Sequence, residues 1–195
     1  MRKRTKAERA DIAVGDAVAP GSNNLWVRAA GQLSELADQP PLITICAAAF
    51  AAGVILRNGR LARAGGRMLA AELLATQMKS TVKHRVDRTR PHVRANGGVY
   101  KAGKGHDHAS AMNSFPSGHT AGAVAVARAY AREYPERAAA AYGLAAATGA
   151  IQVPRGKHYP TDVLAGLIVG LAAEAGVYVA ERVVSRLAGG SAARA

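Results

Sequence analysis

Apolar residues recur at helical spacing along most of the chain, and no stretch alternates convincingly at period two. Residues 1–24 are polar and basic and end in Pro-Gly-Ser-Asn-Asn, a loop or cap signal, so they read as a basic N-terminal tail. Between 25 and 37, Leu25, Ala29, Leu33 and Leu36 share one side of a helical wheel, with Arg28 and Glu35 elsewhere on it. That predicts a short amphipathic helix, packed on the domain or lying in a membrane interface. Pro40 and Pro41 are expected to break the chain. Residues 42–56 carry no charge, and Arg57, Arg60, Arg63 and Arg67 then read as a basic linker with Gly65 and Gly66 inside it. Residues 68–78 are helical with Glu72 among them, and 79–114 form a long polar segment. Helical patterns follow at 117–134, 138–153 and 161–184, separated by Pro135 and by the turn at 154–160. The fold class is therefore all-α, a bundle of about five or six helices. Its single domain spans 25–187, and a flexible tail at 188–195 begins before Gly189 and Gly190.

Three runs, 42–56, 138–153 and 163–180, are nearly free of charge, with Glu174 alone interrupting the last. They are short against the ~20 residues of a usual membrane span. A membrane-embedded bundle is expected, with an Ala-rich soluble bundle as the alternative. Composition narrows the partners. The net charge of +13 suits nucleic acid, an anionic membrane surface or an anionic substrate. Aromatic residues make up only 5% and no zinc, RNP or helix-turn-helix pattern is present, so no nucleic acid is expected. Cys46 is the single cysteine, which excludes an internal disulfide. The basic start, MRKRTKAERADI, is not followed by an apolar stretch and does not read as a secretory signal peptide.

All six histidines lie between His84 and His158, in a region dense in Lys and Arg. Lys83 and Arg90 are seven residues apart, two turns if the segment is helical, and can hold a tetrahedral dianion by a point charge and a fork. Pro91 would end that helix. Pro116-Ser117-Gly118-His119 opens an apolar helical run. Ser117 is a good N-cap, and free amides at a helix start attract phosphate oxygens. In Arg155-Gly-Lys-His158-Tyr-Pro-Thr-Asp162, a carboxylate four residues on can accept an imidazole N–H and leave the other nitrogen to attack. Taken singly, each cluster also fits an ordinary basic face or helix cap. His106, Asp107 and His108 mimic a metal site but read better as a polar loop.

In this order the three clusters resemble the type 2 phosphatidic acid phosphatase superfamily, which includes bacterial class A acid phosphatases and vanadium haloperoxidases. Its signature is K-x6-RP, PSGH and SR-x5-H-x3-D. The chain has Lys83-x6-Arg90-Pro91, Pro116-Ser117-Gly118-His119 and His158-x3-Asp162. It departs at the third motif, where Ile151 and Gln152 stand in place of Ser-Arg. Arg155, three before His158, is a candidate for the missing guanidinium.

The resemblance implies a phosphatase acting on a phosphomonoester or pyrophosphate, with phosphorylated lipids such as phosphatidic acid, phosphatidylglycerol phosphate or a polyprenyl pyrophosphate as the expected partners. It implies that His158 attacks phosphorus, Asp162 supports it, and His119 protonates the leaving oxygen and then activates water. Lys83, Arg90, Ser117 and Gly118 would hold the phosphate oxygens, with Arg155 or Gln152 as additions. No metal or other cofactor is expected, and vanadate would bind as a phosphate mimic. Alternatives on the same scaffold are a soluble acid phosphatase, a vanadium-dependent haloperoxidase or a catalytically degenerate member. Counting apolar segments puts all three clusters on one face of a multi-pass bundle in a bacterial-type cytoplasmic membrane. The 57–67 linker lies on the other face, cytoplasmic under the positive-inside rule, so the site faces outward. The basic N-terminus then sits on the outer side, unless a reentrant or interfacial helix intervenes.

Overall fold

The structure is a computed structural model describing residues 4–105, 107 and 109–192. Helix α1 (Lys6–Val18) starts at a capping box, in which Thr5 and Glu8 satisfy each other's free amides. It is followed by α2 (Leu25–Ser34), capped by Asn24, and a 3-10 turn at Glu35–Ala37. Pro40 and Pro41 do not break the chain. They occupy the first turn of α3 (Gln39–Ile55), where a missing N–H costs nothing. Asn58 caps α4 (Gly59–Lys83), so the expected arginine linker is mostly the first half of a 25-residue helix.

Glycines set how closely these helices approach. A Cβ on Gly53 would lie 2.2 Å from Ala62 N, and one on Gly65 2.3 Å from Phe50 N, so α3 and α4 touch backbone to backbone. The polar stretch after α4 also has structure. β1 (Val86–Arg88) pairs antiparallel with β2 (Ala102–Lys104), and α5 (Pro91–Ala95) lies between them. A ribbon of three-residue strands leaves no alternation for a sequence reading to find.

α6 (Gly118–Glu133) runs through the middle, with Ala121, Ala125 and Ala129 fully enclosed against α4 and α8. α7 (Ala138–Ile151) covers another side, and α8 (Pro160–Ala192) continues through the glycine pair expected to end it. Among the described residues there are eight α-helices, somewhat more than the five or six expected. Five of them form the bundle: α3, α4, α6, α7 and α8.

The end of α4, the start of α6, the end of α7 and the start of α8 all meet at one pole. The other pole is tied by ion pairs: Arg60 with Glu136, Arg67 with Glu133 and Glu181, and Arg128 and Arg132 with Glu174. The supposed tail is instead a docked element. Asp11, Ile12 and Gly15 of α1 are buried, and Ile12 packs with Tyr100 and Tyr159 at the first pole.

By length and composition, Pro160–Ala188 can cross a membrane, and only 22% of its apolar window is buried. The core helix of a water-soluble bundle would be mostly covered. Leu25–Ala37 and Gln39–Ile55 pass the same test only as a pair, bent by 55°. Trp26, Leu33, Leu144, Ile168 and Leu187 all point outward.

Candidate active site

The three sequence clusters converge at the first pole. Two glycines of α8 are responsible for much of this. A Cβ on Gly166 would come within 2.5 Å of Ser117 O, and one on Gly170 within 2.5 Å of Ala121 O. α8 therefore lies directly on α6, and Ser117 N donates to Asp162 O at 3.0 Å.

His158 is 2% exposed, and its Nδ1 lies 2.6 Å from Ser114 O. A carbonyl only accepts, so Nδ1 carries the proton and the lone pair sits on Nε2. The orienting partner is thus a backbone carbonyl; Asp162 Oδ2 stands 3.8 Å from Nδ1. The i,i+4 spacing pointed to a direct bond, but α8 begins only at Pro160, so the two residues do not share helical geometry. Asp162 is instead the hub of a buried network. It accepts from Ser114 Oγ at 2.6 Å and Tyr159 N at 2.8 Å through Oδ2, and from Arg88 Nη1 at 2.5 Å through Oδ1. It thereby fixes both the loop carrying the Ser114 carbonyl and the chain just after His158. Burial first, and then the Arg90 and Lys83 charges, push the His158 pKa down to about 4 despite Asp162.

Arg88 was not singled out in the sequence, although it lies between Lys83 and Arg90. Its guanidinium joins two buried carboxylates, Asp162 and Asp11 (Nη2–Oδ2 2.6 Å), and lies 4.4 Å from the Tyr159 ring centroid. Asp11 also accepts from Thr161 N at 3.1 Å, so α1 is bolted to the start of α8. Nothing in a basic N-terminal stretch marks Asp11 in advance.

Lys83 and Arg90 do not share a helix, since α4 ends at Lys83 and β1 intervenes. They converge on Asn113 O, at 3.4 Å from each, and Arg90 Nε donates to Ser110 O at 2.8 Å. Pro91 opens α5 rather than closing a helix. Ser117 is the N-cap of α6, its Oγ taking Thr120 N at 3.4 Å and Thr120 Oγ1 at 2.9 Å. The amides of Gly118 and His119 have no partner among the described residues.

His119 Nε2 is buried and lies 3.5 Å from a Glu35 carboxylate oxygen. Asp38 is close enough that ligand atoms of Glu35, Asp38 and His119 lie within 4.8 Å of one another. Arg155 Nη1 donates to Ser34 Oγ at 2.8 Å, and Nη2 pairs with Glu35. A Cβ on Gly31 would stand 2.7 Å from Arg155 Nε, so α2 is hollowed to take this side chain. Gln152 is fully buried, its Nε2 donating to Thr148 O at 3.0 Å and Ser34 Oγ at 3.2 Å. The donors that Arg155 and Gln152 use are thus committed to α2, its following turn and α7. His106 and His108 lie outside the described residues.

Residues 63–185 match the PAP2 superfamily. The chain belongs to that family. Phosphatases of this family work without a metal, which suits a site whose positive charge comes from lysine, arginine and helix amides. Among curated proteins, the chain is 37% identical over 91 residues to a lipid A 1-phosphatase of Porphyromonas gingivalis, covering 44% of this chain and 20% of that protein. It is 34% identical over 93 residues to one of Rhizobium johnstonii, covering 48% and 38%. The chain thus matches less than half the length of these relatives. Its fold is that of a transmembrane PAP2 type phosphatidylglycerolphosphate phosphatase from Bacillus subtilis, with a TM-score of 0.66, 20% identity, and coverage of 92% and 88% of the two chains. LpxE of Aquifex aeolicus is similar at a TM-score of 0.59 and 18% identity, over 85% and 93%.

Proposed function

We propose that this PAP2 protein is a membrane phosphatase that hydrolyses a lipid phosphate through a phosphohistidine at His158. The observation that carries the reading is the hydrogen bond from His158 Nδ1 to Ser114 O, which leaves Nε2 unprotonated beside the positive charge of Lys83 and Arg90. In the first step Nε2 attacks phosphorus, the P–O bond to the lipid breaks, and His119 gives its proton to the departing oxygen. In the second, neutral His119 takes a proton from water, the resulting hydroxide attacks phosphorus, and the P–N bond breaks to release inorganic phosphate. Lys83, Arg90 and the free amides at Gly118 and His119 hold the nonbridging oxygens. Positioning and charge neutralisation supply most of what phosphoryl transfer needs. Asp162 keeps the His158 loop in place. Arg155 acts through Glu35 on His119 rather than as a direct copy of the family arginine.

The lipid class is supported by a cavity of ≈ 720 Å³ between α2, α3, α6 and α7. Its lining is almost wholly apolar, including the buried Leu42 and Ala145 and the exposed Leu33 and Leu144, so it opens on the surface of the bundle. Ser34, to which Arg155 and Gln152 both donate, also lines it, so the cavity reaches from the site pole into the bundle. An acyl chain fits this shape and chemistry. The relatives' names make a lipid A-type phosphate and phosphatidylglycerol phosphate the first substrates to try. The protein is taken to be multi-pass in a bacterial cytoplasmic membrane. Its ion-paired, arginine-rich pole faces the cytoplasm and its site faces outward.

Phosphate release from a panel of those two lipids, phosphatidic acid and a polyprenyl pyrophosphate, in detergent with EDTA, tests the reading. Release by wild type and none by His158→Ala is expected. Equal release by both, or none by wild type on any lipid, overturns it.

A further inference from the structure

Lys79 lies one turn before Lys83 on α4, on the same face of the helix, and belongs to none of the three sequence clusters. A Cβ built on Gly118 would stand 3.0 Å from Lys79 Nζ, so the ammonium sits directly over the first residue of α6. That is where the Gly118 and His119 amides are without partners. Among the described residues, Lys79 Nζ itself makes no hydrogen bond or ion pair within bonding distance. Asp38 and Glu72 act on it only through space. Lys79 is half-buried, and an ammonium left without a hydrogen-bonding partner against two free amides is placed to receive an anion. Two free amides and a lone ammonium around one point form a nest for an anion. Meanwhile Arg155 is held by Ser34 and Glu35, which leaves room for another cation in the pocket.

We propose that Lys79 is a phosphate-binding residue of this site, its ammonium taking a nonbridging phosphoryl oxygen beside the Gly118 and His119 amides. The proposal rests on the phosphatase reading for its catalytic consequence but not for anion binding itself. The pocket then presents three cations: Lys79 and Lys83 from the end of α4, and Arg90 from the residue that precedes α5. A Cβ at 118 would press on the ammonium, which would have to shift by a few tenths of an ångström.

The test uses the full chain in detergent, with vanadate as the probe and calorimetry as the readout, alongside kcat/KM on the best lipid of the panel. Lys79→Met and Lys79→Gln are each compared with wild type, with melting temperatures as the check on folding. Loss of one charge-assisted contact is expected to weaken vanadate binding and lower kcat/KM, each by about 10- to 100-fold. Lys79→Arg recovers most of both. The same measurements on Glu72→Gln and on Lys79→Met in that background separate a counter-ion role. If Lys79 serves only to balance Glu72, the double variant regains wild-type values, and the proposal falls. Wild-type vanadate affinity in both neutral variants also overturns it. A wild type that binds vanadate through Lys79 but turns over no lipid would sink the phosphatase reading and leave this inference standing.

Discussion

With Nδ1 donating to Ser114 O, His158 keeps its lone pair on Nε2, and its pKa of about 4 keeps it neutral through the ordinary pH range. A nucleophile must be unprotonated, so this group holds back activity only as pH falls toward about 4. A kcat/KM–pH profile is expected to show no loss attributable to His158 between pH ~5 and 7, where an ordinary histidine would already titrate. An acid limb that moves up to the ordinary histidine range in a Ser114-loop variant would show that burial there sets the value. Arg88 makes the second residue-scale prediction. Arg88→Met leaves Asp11 and Asp162 buried without a cation, and breaking a buried pair this way costs about 3–5 kcal/mol. Chemical denaturation of the two proteins in the same detergent measures it. Arg88 was within reach of the sequence, inside the x6 of K-x6-RP, but a basic run does not reveal which of its members turns inward.

At the scale of elements, the site depends on how α8 lies on α6. Gly170→Ala puts a methyl 2.5 Å from Ala121 O, and the helices must separate. Overpacking of this kind costs about 1–3 kcal/mol. It is also expected to lower kcat, because the α6 start and the α8 start carry different groups of the proposed mechanism; thermal melting and turnover together check it. Removal of residues 1–18 deletes Asp11 and uncovers Tyr159, so the truncated protein is expected to melt lower and lose activity. A tail would have been dispensable. α1 was read as a tail because the stretch is basic and ends in a loop signal, and the docking contacts are a few buried side chains rather than a hydrophobic stripe.

The whole molecule presents large apolar side chains outward, some of them lining an open apolar cavity. Recovery in the membrane fraction, with detergent needed for release, is expected. Recovery in the soluble fraction would turn the reading toward a soluble bundle. The cavity makes a finer prediction. Ala145 is buried and lines it, so Ala145→Phe fills part of the space. The variant is expected to lose about 10-fold or more in kcat/KM on long-chain lipid phosphates while leaving a short-chain analogue nearly unaffected, since each excluded methylene forfeits about 0.8 kcal/mol. Equal effects on both chain lengths would place the acyl chain elsewhere.

The order of Lys83, Arg90, Pro116 to His119, His158 and Asp162, with helical spacing between them, determined the family and the helical class and supplied the proposed reactive groups. Those features are local: caps, charge-free runs and short motifs are written in adjacent residues. The partners of those groups were decided by tertiary structure alone. Ser114 O rather than Asp162 orients His158, and Arg88 and Asp11 anchor the site from segments that looked like spacer and tail. Glu35 comes to His119 from the end of a surface helix, and Lys79 reaches α6 from across the bundle. Each of these is a contact between segments far apart in the chain, brought together by tertiary packing, which Gly166 and Gly170 tighten where α8 lies on α6.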